Sequence, residues 1–168
     1  MSRTLFFAPV LTLALAACGS EPAGPLAVSN DAQYAAAAQD RPLRADCQMQ
    51  IQPPTVLSPG VIAQVDSGAC QVSHLGNSTL VSDKVINLAA GTQTLQLSFT
   101  AANGDVLRAS GTGTNVMVAP GIVEFTANVT FTGGTGRFAS ASGSATINGQ
   151  ANLAQARSAM VLEGDLLY

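Results

Sequence analysis

Short segments in which apolar and polar residues alternate constrain this fold more than any other feature of the chain. The clearest segment is 92–101, with Leu95, Leu97, Phe99 and Ala101 on one parity. Successive side chains of a β-strand point to opposite faces, so this pattern predicts a strand with one buried face. Asn103-Gly104 follows directly, and Asn-Gly readily takes the positive φ values of a tight hairpin turn. The segment therefore predicts an antiparallel hairpin.

The same alternation recurs along the chain and predicts about eight strands. They span residues 43–52, 61–65, 69–88, 92–101, 106–114, 122–132, 138–147 and 156–168, with 69–88 broken near 74–77 and 82–83. The predicted turns between or within them are 58–60, 66–68, 89–91, 102–105, 119–121 and 148–149. No segment after residue 42 has a helical apolar stripe.

This pattern predicts an all-β domain with one core. Short connections between consecutive strands imply antiparallel neighbours, and an eight-stranded antiparallel up-and-down barrel leaves no exposed sheet edge. A two-sheet β-sandwich is the alternative. Eight strands enclose an interior that side chains fill or that holds one small ligand.

A glycine-rich stretch, residues 130–144, joins two alternating halves and predicts the tightest hairpin of the domain. We expect Gly134 and Gly136 to need positive φ, which glycine adopts without a steric penalty. The stretch does not predict a phosphate-binding loop, because such loops lead into a helix and carry a Lys.

The N-terminus reads as an export signal. Arg3 precedes an apolar run that ends in small residues, which is the layout of a secretory signal peptide over residues 1–17. Leu15-Ala16-Ala17-Cys18 resembles the lipobox of bacterial lipoproteins, in which the cysteine thiol receives a diacylglycerol. The resemblance implies lipidation of Cys18; an ordinary signal peptide with an incidental cysteine is the alternative. Two or three acyl chains anchor a protein firmly, since each buried CH₂ contributes about 0.8 kcal/mol.

Residues 18–42 are predicted to be a flexible tether between this lipid anchor and a barrel domain at 43–168. The stretch begins with a run rich in Gly and Pro and then continues with a run of Ala that lacks an apolar stripe. Gly19, where an Asp would favour retention at the inner membrane, favours the outer membrane. The expected location is therefore the bacterial cell envelope, lipid-anchored, at the periplasmic side or the surface.

Two cysteines remain after Cys18. Cys47 and Cys70 form an even pair, and an exported protein folds in an oxidising compartment, so we predict a disulfide. A metal pair is the alternative, but the chain has a single histidine and no Cys-x-x-Cys spacing. We expect neither a metal nor a cofactor.

Charge excludes one class of partner. Charged residues are 10% of the chain, and without residues 1–17 it carries six basic and ten acidic side chains. Phosphate contacts need clustered Lys and Arg, so nucleic-acid binding is not expected. The expected partners are a membrane, through the lipid anchor, and an apolar small molecule.

Three motifs carry a family resemblance. They are His74-Leu75-Gly76, then Ala102-Asn103-Gly104-Asp105, then the hairpin motif with Gly133, Gly134, Gly136, Arg137, Phe138 and Gly143. In this order they resemble small exported bacterial proteins of unassigned activity, over about residues 70–168. The hairpin motif alone resembles that of the dirigent and allene oxide cyclase-like proteins. That resemblance implies an eight-stranded barrel whose cavity takes apolar compounds.

Two residues are weak candidates for ligand binding. His74 is the single histidine, and a neutral imidazole serves as acid, base or ligand. Arg137 lies beside three glycines and has the chemistry to clamp an anion. The structural alternatives are a hydrogen-bonded histidine at a strand bend, and an arginine that binds loop carbonyls or an acidic partner such as Glu163 or Asp165. No catalytic residue is assigned.

The sequence thus predicts an envelope lipoprotein with a tethered β-barrel and a structural or small apolar ligand-binding role. The alternative is a cyclase- or isomerase-like enzyme that acts on an apolar molecule in the barrel cavity. An interior plugged by Leu97, Phe99, Phe125, Phe131 and Met160 would argue against both ligand binding and catalysis and favour a structural module.

Overall fold

The computed structural model describes residues 40–168, which form one compact unit built from β-strands. The strands are β1 Asp40–Ile51, β2 Thr55–Ser58, β3 Val61–Val72, β4 Gly76–Asn87, β5 Thr92–Ala101, β6 Val106–Ala119, β7 Ile122–Gly134, β8 Ser142–Asn152 and β9 Arg157–Leu167. The predicted signal peptide and Cys18 lie outside the described residues. β1 begins at Asp40, so the barrel includes three residues that were assigned to the tether.

Eight of these strands close into an antiparallel barrel. Their order is β1-β9-β8-β7-β6-β5-β4-β3, and β3 pairs with β1 to complete the circle. Every neighbouring pair is antiparallel. The predicted barrel is confirmed, and the two-sheet sandwich is wrong.

A ninth strand, β2, was not predicted. β1 pairs with β3 over Ala45–Ile51, and β2 then pairs with the first residues of β3 from Thr55 onward. Pro53 and Pro54 separate β1 from β2, because proline has no N–H to donate to the ladder. β2 therefore continues the line of β1 along β3, and all four of its residues are exposed.

The apolar residues that the alternation places on one face of each strand fill the interior of the barrel. Leu95, Leu97, Phe99 and Ala101 of β5 are all buried, as are Ala127, Val129 and Phe131 of β7. Met160 and Leu162 of β9 pack into the same core, and Phe125 packs against it while partly exposed. Burial of these side chains is the main favourable term in folding.

Three predicted interruptions are wrong, because the residues lie inside continuous strands. Residues 66–68 lie in β3, residues 82–83 in β4, and residues 148–149 in β8. Glycine serves close packing at two of these places: a Cβ on Gly68 would lie 2.7 Å from Cα of Met49, and one on Gly149 would meet the Phe125 ring. The turn predicted at 148–149 instead lies between β8 and β9 at residues 153–156.

The glycine-rich stretch is not a tight hairpin. β7 ends at Gly134 and β8 begins at Ser142, and a 3₁₀ turn over Gly136–Phe138 lies between them. Phe138 is fully buried there and covers one end of the barrel. The prediction for Gly136 is confirmed, since its φ is +56°. The prediction for Gly134 is wrong: its φ is not positive, and glycine is needed because a Cβ would collide with the Val106 carbonyl.

The predicted disulfide between Cys47 and Cys70 is confirmed. The two residues are directly opposite each other in the ladder between β1 and β3, with Cα atoms 4.1 Å apart. The bond joins residues 23 positions apart and staples the pairing through which β1 and β3 close the barrel. Such a loop restricts the unfolded chain, which stabilises the fold by about 3 kcal/mol in the chain-entropy model.

Candidate functional site

The barrel has two ends that differ in charge. We call the end with the turns at 73–75, 102–105 and 135–141 the charged end, because it carries His74, Asp105 and Arg137. The first residue of β1, Asp40, lies at this end too. The opposite end carries the segment 52–60, which includes β2, and the turns at 88–91, 120–121 and 153–156. We call it the uncharged end, because these segments contain no Asp, Glu, Lys, Arg or His.

The three motifs of the sequence meet at the charged end, and Arg137 joins them. Its Nη2 donates a hydrogen bond to the carbonyl oxygen of His74 at 2.8 Å. Its Nε lies 3.8 Å from Oδ2 of Asp105, and its guanidinium lies over the Phe138 ring, 4.8 Å from the centroid. One side chain thus connects the turns at 73–75, 102–105 and 135–141.

His74, the single histidine of the chain, contacts two other segments at the charged end. Its backbone has φ +67°, and its ring Nε2 donates to the carbonyl oxygen of Pro42 at 3.0 Å. The Tyr168 ring lies 6.4 Å away between centroids. The imidazole and the carbonyl of His74 therefore both hold neighbouring chain segments.

The turn at 102–105 is tied to the same cluster by further hydrogen bonds. Asn103 Nδ2 donates to Oδ2 of Asp105, and its Oδ1 accepts from the Asp105 N–H. Thr135 Oγ1 accepts from the Val106 N–H at 2.9 Å. The Asp105 carboxylate is thus engaged by a turn amide as well as by Arg137, an arrangement typical of a rigid turn rather than of a vacant anion clamp.

Glu163 does not pair with Arg137, contrary to the partner suggested for it. It pairs instead with Arg44, which also binds Asp46 at 3.1 Å. The hydrogen bond and charge of Asp46, followed by the charge of Glu163, raise the pKa of Arg44. Arginine stays protonated at any ordinary pH, so the Arg44 guanidinium itself supplies no acid or base.

A buried ion pair lies inside the barrel nearer the uncharged end, and the sequence did not predict it. Lys84 Nζ pairs with Oδ2 of Asp66, whose side chain is only 3% exposed. Gln64 Nε2 donates to the other carboxylate oxygen at 3.0 Å. The Lys84 ammonium also lies 6.0 Å from the centroid of the Phe125 ring. Both charges are therefore compensated inside the sheet.

The alternation of residues along β3 indicates that Asp66 is buried. Asp66 and Gln64 share the parity of Cys70 and Val72, which are buried on β3. Reading residues 66–68 as a turn hid that relation. The sequence could not predict the partner, because the register of β3 against β4 places Lys84 opposite Gln64 and diagonal to Asp66.

The space around this pair is small. A cavity of about 20 Å³ lies among Asp66, Ser82, Lys84, Gln93, Phe125 and Ser158, with apolar neighbours on the far side. That volume is about what one water molecule requires. Depressions of about 490–750 Å³ lie elsewhere, but they are open to solvent.

The rest of the domain offers few groups for chemistry. Within residues 40–168 no three His, Cys, Asp or Glu side chains are placed to hold a metal ion. In the same part of the chain, no helix is long and apolar enough to cross a membrane.

Comparison with protein-family models, with curated proteins and with solved structures finds no match to this chain.

Proposed function

We propose that this protein is a lipid-anchored protein of the bacterial cell envelope whose β-barrel serves as a rigid structural module. The filled interior carries the proposal. Its largest side chains, among them Phe99, Leu97 and Phe131, are buried across the barrel, and the internal cavity measures only about 20 Å³. Pockets for organic ligands are typically about 300–1,000 Å³.

Compartment and stability agree with this role. The Cys47–Cys70 disulfide belongs in an oxidising compartment such as the bacterial periplasm. The Leu15-Ala16-Ala17-Cys18 sequence supplies the site for the lipid, and Gly19 favours the outer membrane. A barrel cross-linked by a disulfide is stabilised against unfolding, as a protein exposed in the cell envelope requires.

The alternative functions need more space than the cavity of about 20 Å³ beside the Asp66–Lys84 pair offers. A cyclase, an isomerase or a carrier of an apolar molecule needs a cavity that reaches one barrel end. Here Phe138 covers the charged end, and the Asp66–Lys84 pair occupies the interior nearer the other end. The side chains of His74 and Arg137 hold neighbouring segments of the charged end together.

Metabolic labelling with a fatty acid tests the anchor. The wild-type chain should incorporate the label, whereas Cys18→Ala should not, because the alanine has no thiol to acylate. Ser20→Ala is the matched control and should behave as wild type. Labelling that persists in Cys18→Ala would overturn the proposal.

A further inference from the structure

The uncharged end exposes a group of large apolar side chains. We call this group the apolar rim; its members are Val56, Leu57, Leu88, Val116, Met117, Val118 and Leu153. Val56 is 72% exposed and Met117 is 64% exposed. The other large apolar side chains that are exposed, Val65, Val81 and Val85, lie on the outer wall of β3 and β4 and are less exposed. Apolar exposure is thus concentrated at one end of the barrel.

The chemistry of this end excludes a charged partner. The turns with their flanking residues, 52–60, 88–91, 115–123 and 152–156, contain no charged residue. Exposed charges begin at the base of these turns: Glu124 of β7 lies opposite Val116 in the ladder, and Arg157 is the first residue of β9. The turns themselves offer no charge to an anionic or a cationic partner, so the complement of their tips is uncharged and apolar.

The backbone of this end is already paired from turn to turn. Gly60 accepts from the Leu88 N–H, Gly91 from the Asn115 N–H, and Gly121 from the Leu153 N–H, all at 2.7–2.8 Å. The Ala156 carbonyl accepts from the Ile51 N–H at 2.9 Å and extends this chain of bonds to β1.

Side chains satisfy further amides in the same turns. Asn87 Oδ1 accepts from the N–H groups of Ala89 and Ala90, and Asn152 Oδ1 accepts from the Gln155 N–H. An unpaired backbone group costs several kcal/mol in an apolar medium, so structures that enter lipid satisfy their amides internally. The hydrogen-bonded turns of this end can therefore leave water at a low cost, whereas β2 pairs on one side only, with β3.

From these observations we propose that the apolar rim inserts into the interfacial region of an uncharged lipid surface. Its side chains lie on β2, on the last residues of β6 and in the turns at Leu88 and Leu153. Fluid lipid accommodates such separate tips. A protein partner would need a continuous, complementary face. Lipid binding scales with the apolar area buried, and no basic residue is needed for a zwitterionic headgroup.

This interaction goes beyond the lipid anchor and does not depend on it. A single weak membrane contact becomes stable when a second one is added. The barrel chain starts at the charged end, so the rim is a contact separate from the point where the tether joins.

Vesicle co-sedimentation tests the rim in the absence of any anchor. The oxidised chain from residue 19 to 168, which keeps the whole closed barrel, is mixed with sucrose-loaded phosphatidylcholine vesicles at 0.1 M and 1 M NaCl. It should bind at both salt concentrations. Leu57→Ser/Met117→Ser should weaken binding by about ten-fold or more, since two large apolar side chains no longer leave water.

Val81→Ser/Val85→Ser is the matched control, because it removes two exposed apolar side chains from the outer wall. It should bind as the unmodified chain does, and circular dichroism should show all three proteins folded. Three results would overturn the proposal: no binding to phosphatidylcholine, equal loss in the wall variant, or a dimer that dissociates only when the rim is substituted. Loss of the acyl label at Cys18 would leave this result unchanged, so the two proposals fail separately.

Discussion

The two ends of this barrel close the same kind of opening with different chemistry. The charged end is sealed by Phe138 and held by Arg137, which joins three turns through polar contacts. The uncharged end is held by backbone hydrogen bonds between successive turns and keeps its charges inside the sheet, in the Asp66–Lys84 pair. The polar side chains of the charged end are used for contacts within the barrel, whereas the uncharged end leaves large apolar side chains exposed.

The largest expected effect is at the buried pair. Asp66→Ala leaves the Lys84 ammonium uncompensated inside the barrel and should cost about 3–5 kcal/mol in the free energy of unfolding, measured by urea denaturation. Asp66→Leu/Lys84→Met should restore most of that stability, because an apolar pair needs no compensation. Asp83→Ala, an exposed neighbour on β4, is the control and should change little. A mild loss in Asp66→Ala would mean that water reaches the pair and that this end is open.

The next effect concerns the disulfide. Cys47→Ala/Cys70→Ala should lower the free energy of unfolding by about 3 kcal/mol, because the unfolded chain regains the freedom of the closed loop. Chemical reduction of the wild-type protein separates the lost cross-link from the lost side-chain volume. If reduction leaves the urea midpoint unchanged, the closure of β1 on β3 does not depend on the staple.

Glycines at the two ends provide a matched comparison. Gly121 has φ +74°, and a Cβ there would come no closer than 4.0 Å, to the Ala154 N, so Gly121→Ala should cost about 1–2 kcal/mol from backbone strain alone. Gly136 also has positive φ, and a Cβ there would collide with the Asp105 carboxylate, so Gly136→Ala should cost about 1 kcal/mol more. Thermal unfolding measures both. Equal losses would show that Asp105 moves freely and that the charged end is not rigid.

An effect as small as that of Gly121→Ala is expected for Arg137→Ala. Its hydrogen bond to the His74 carbonyl should contribute about 1–2 kcal/mol, since the half-exposed ion pair with Asp105 adds little. Arg137→Lys should not recover this, because a lysine lacks the planar fork that reaches both partners. Arg108→Ala, an exposed arginine on β6, should leave the melting temperature unchanged. A normal melting temperature in Arg137→Ala would remove the argument that this residue joins the turns.

Alternation along the chain was enough to predict the barrel, because burial of one face imposes a period of two on each strand. Glycine was the main source of error, since it serves two purposes that look alike in a sequence. Gly104 adopts positive φ in a turn, as predicted, whereas Gly68 and Gly149 lie in strands where another part of the chain comes too close for a Cβ.

The candidate sites depended on register, which the sequence does not contain. Asp66 meets Lys84, and Arg137 meets His74, only after the strands have paired. The order of the three motifs was visible in the sequence, but their meeting at one barrel end required the closed sheet. The hydrogen bonds between turns at the other end likewise exist only in the assembled barrel.

Native mass spectrometry of the protein purified from its own host tests the central claim, a filled barrel, most directly. After exhaustive detergent exchange the account predicts the mass of the polypeptide with its anchor and no further small molecule. One equivalent of an apolar compound that stays through this exchange and leaves only when the barrel unfolds would contradict it.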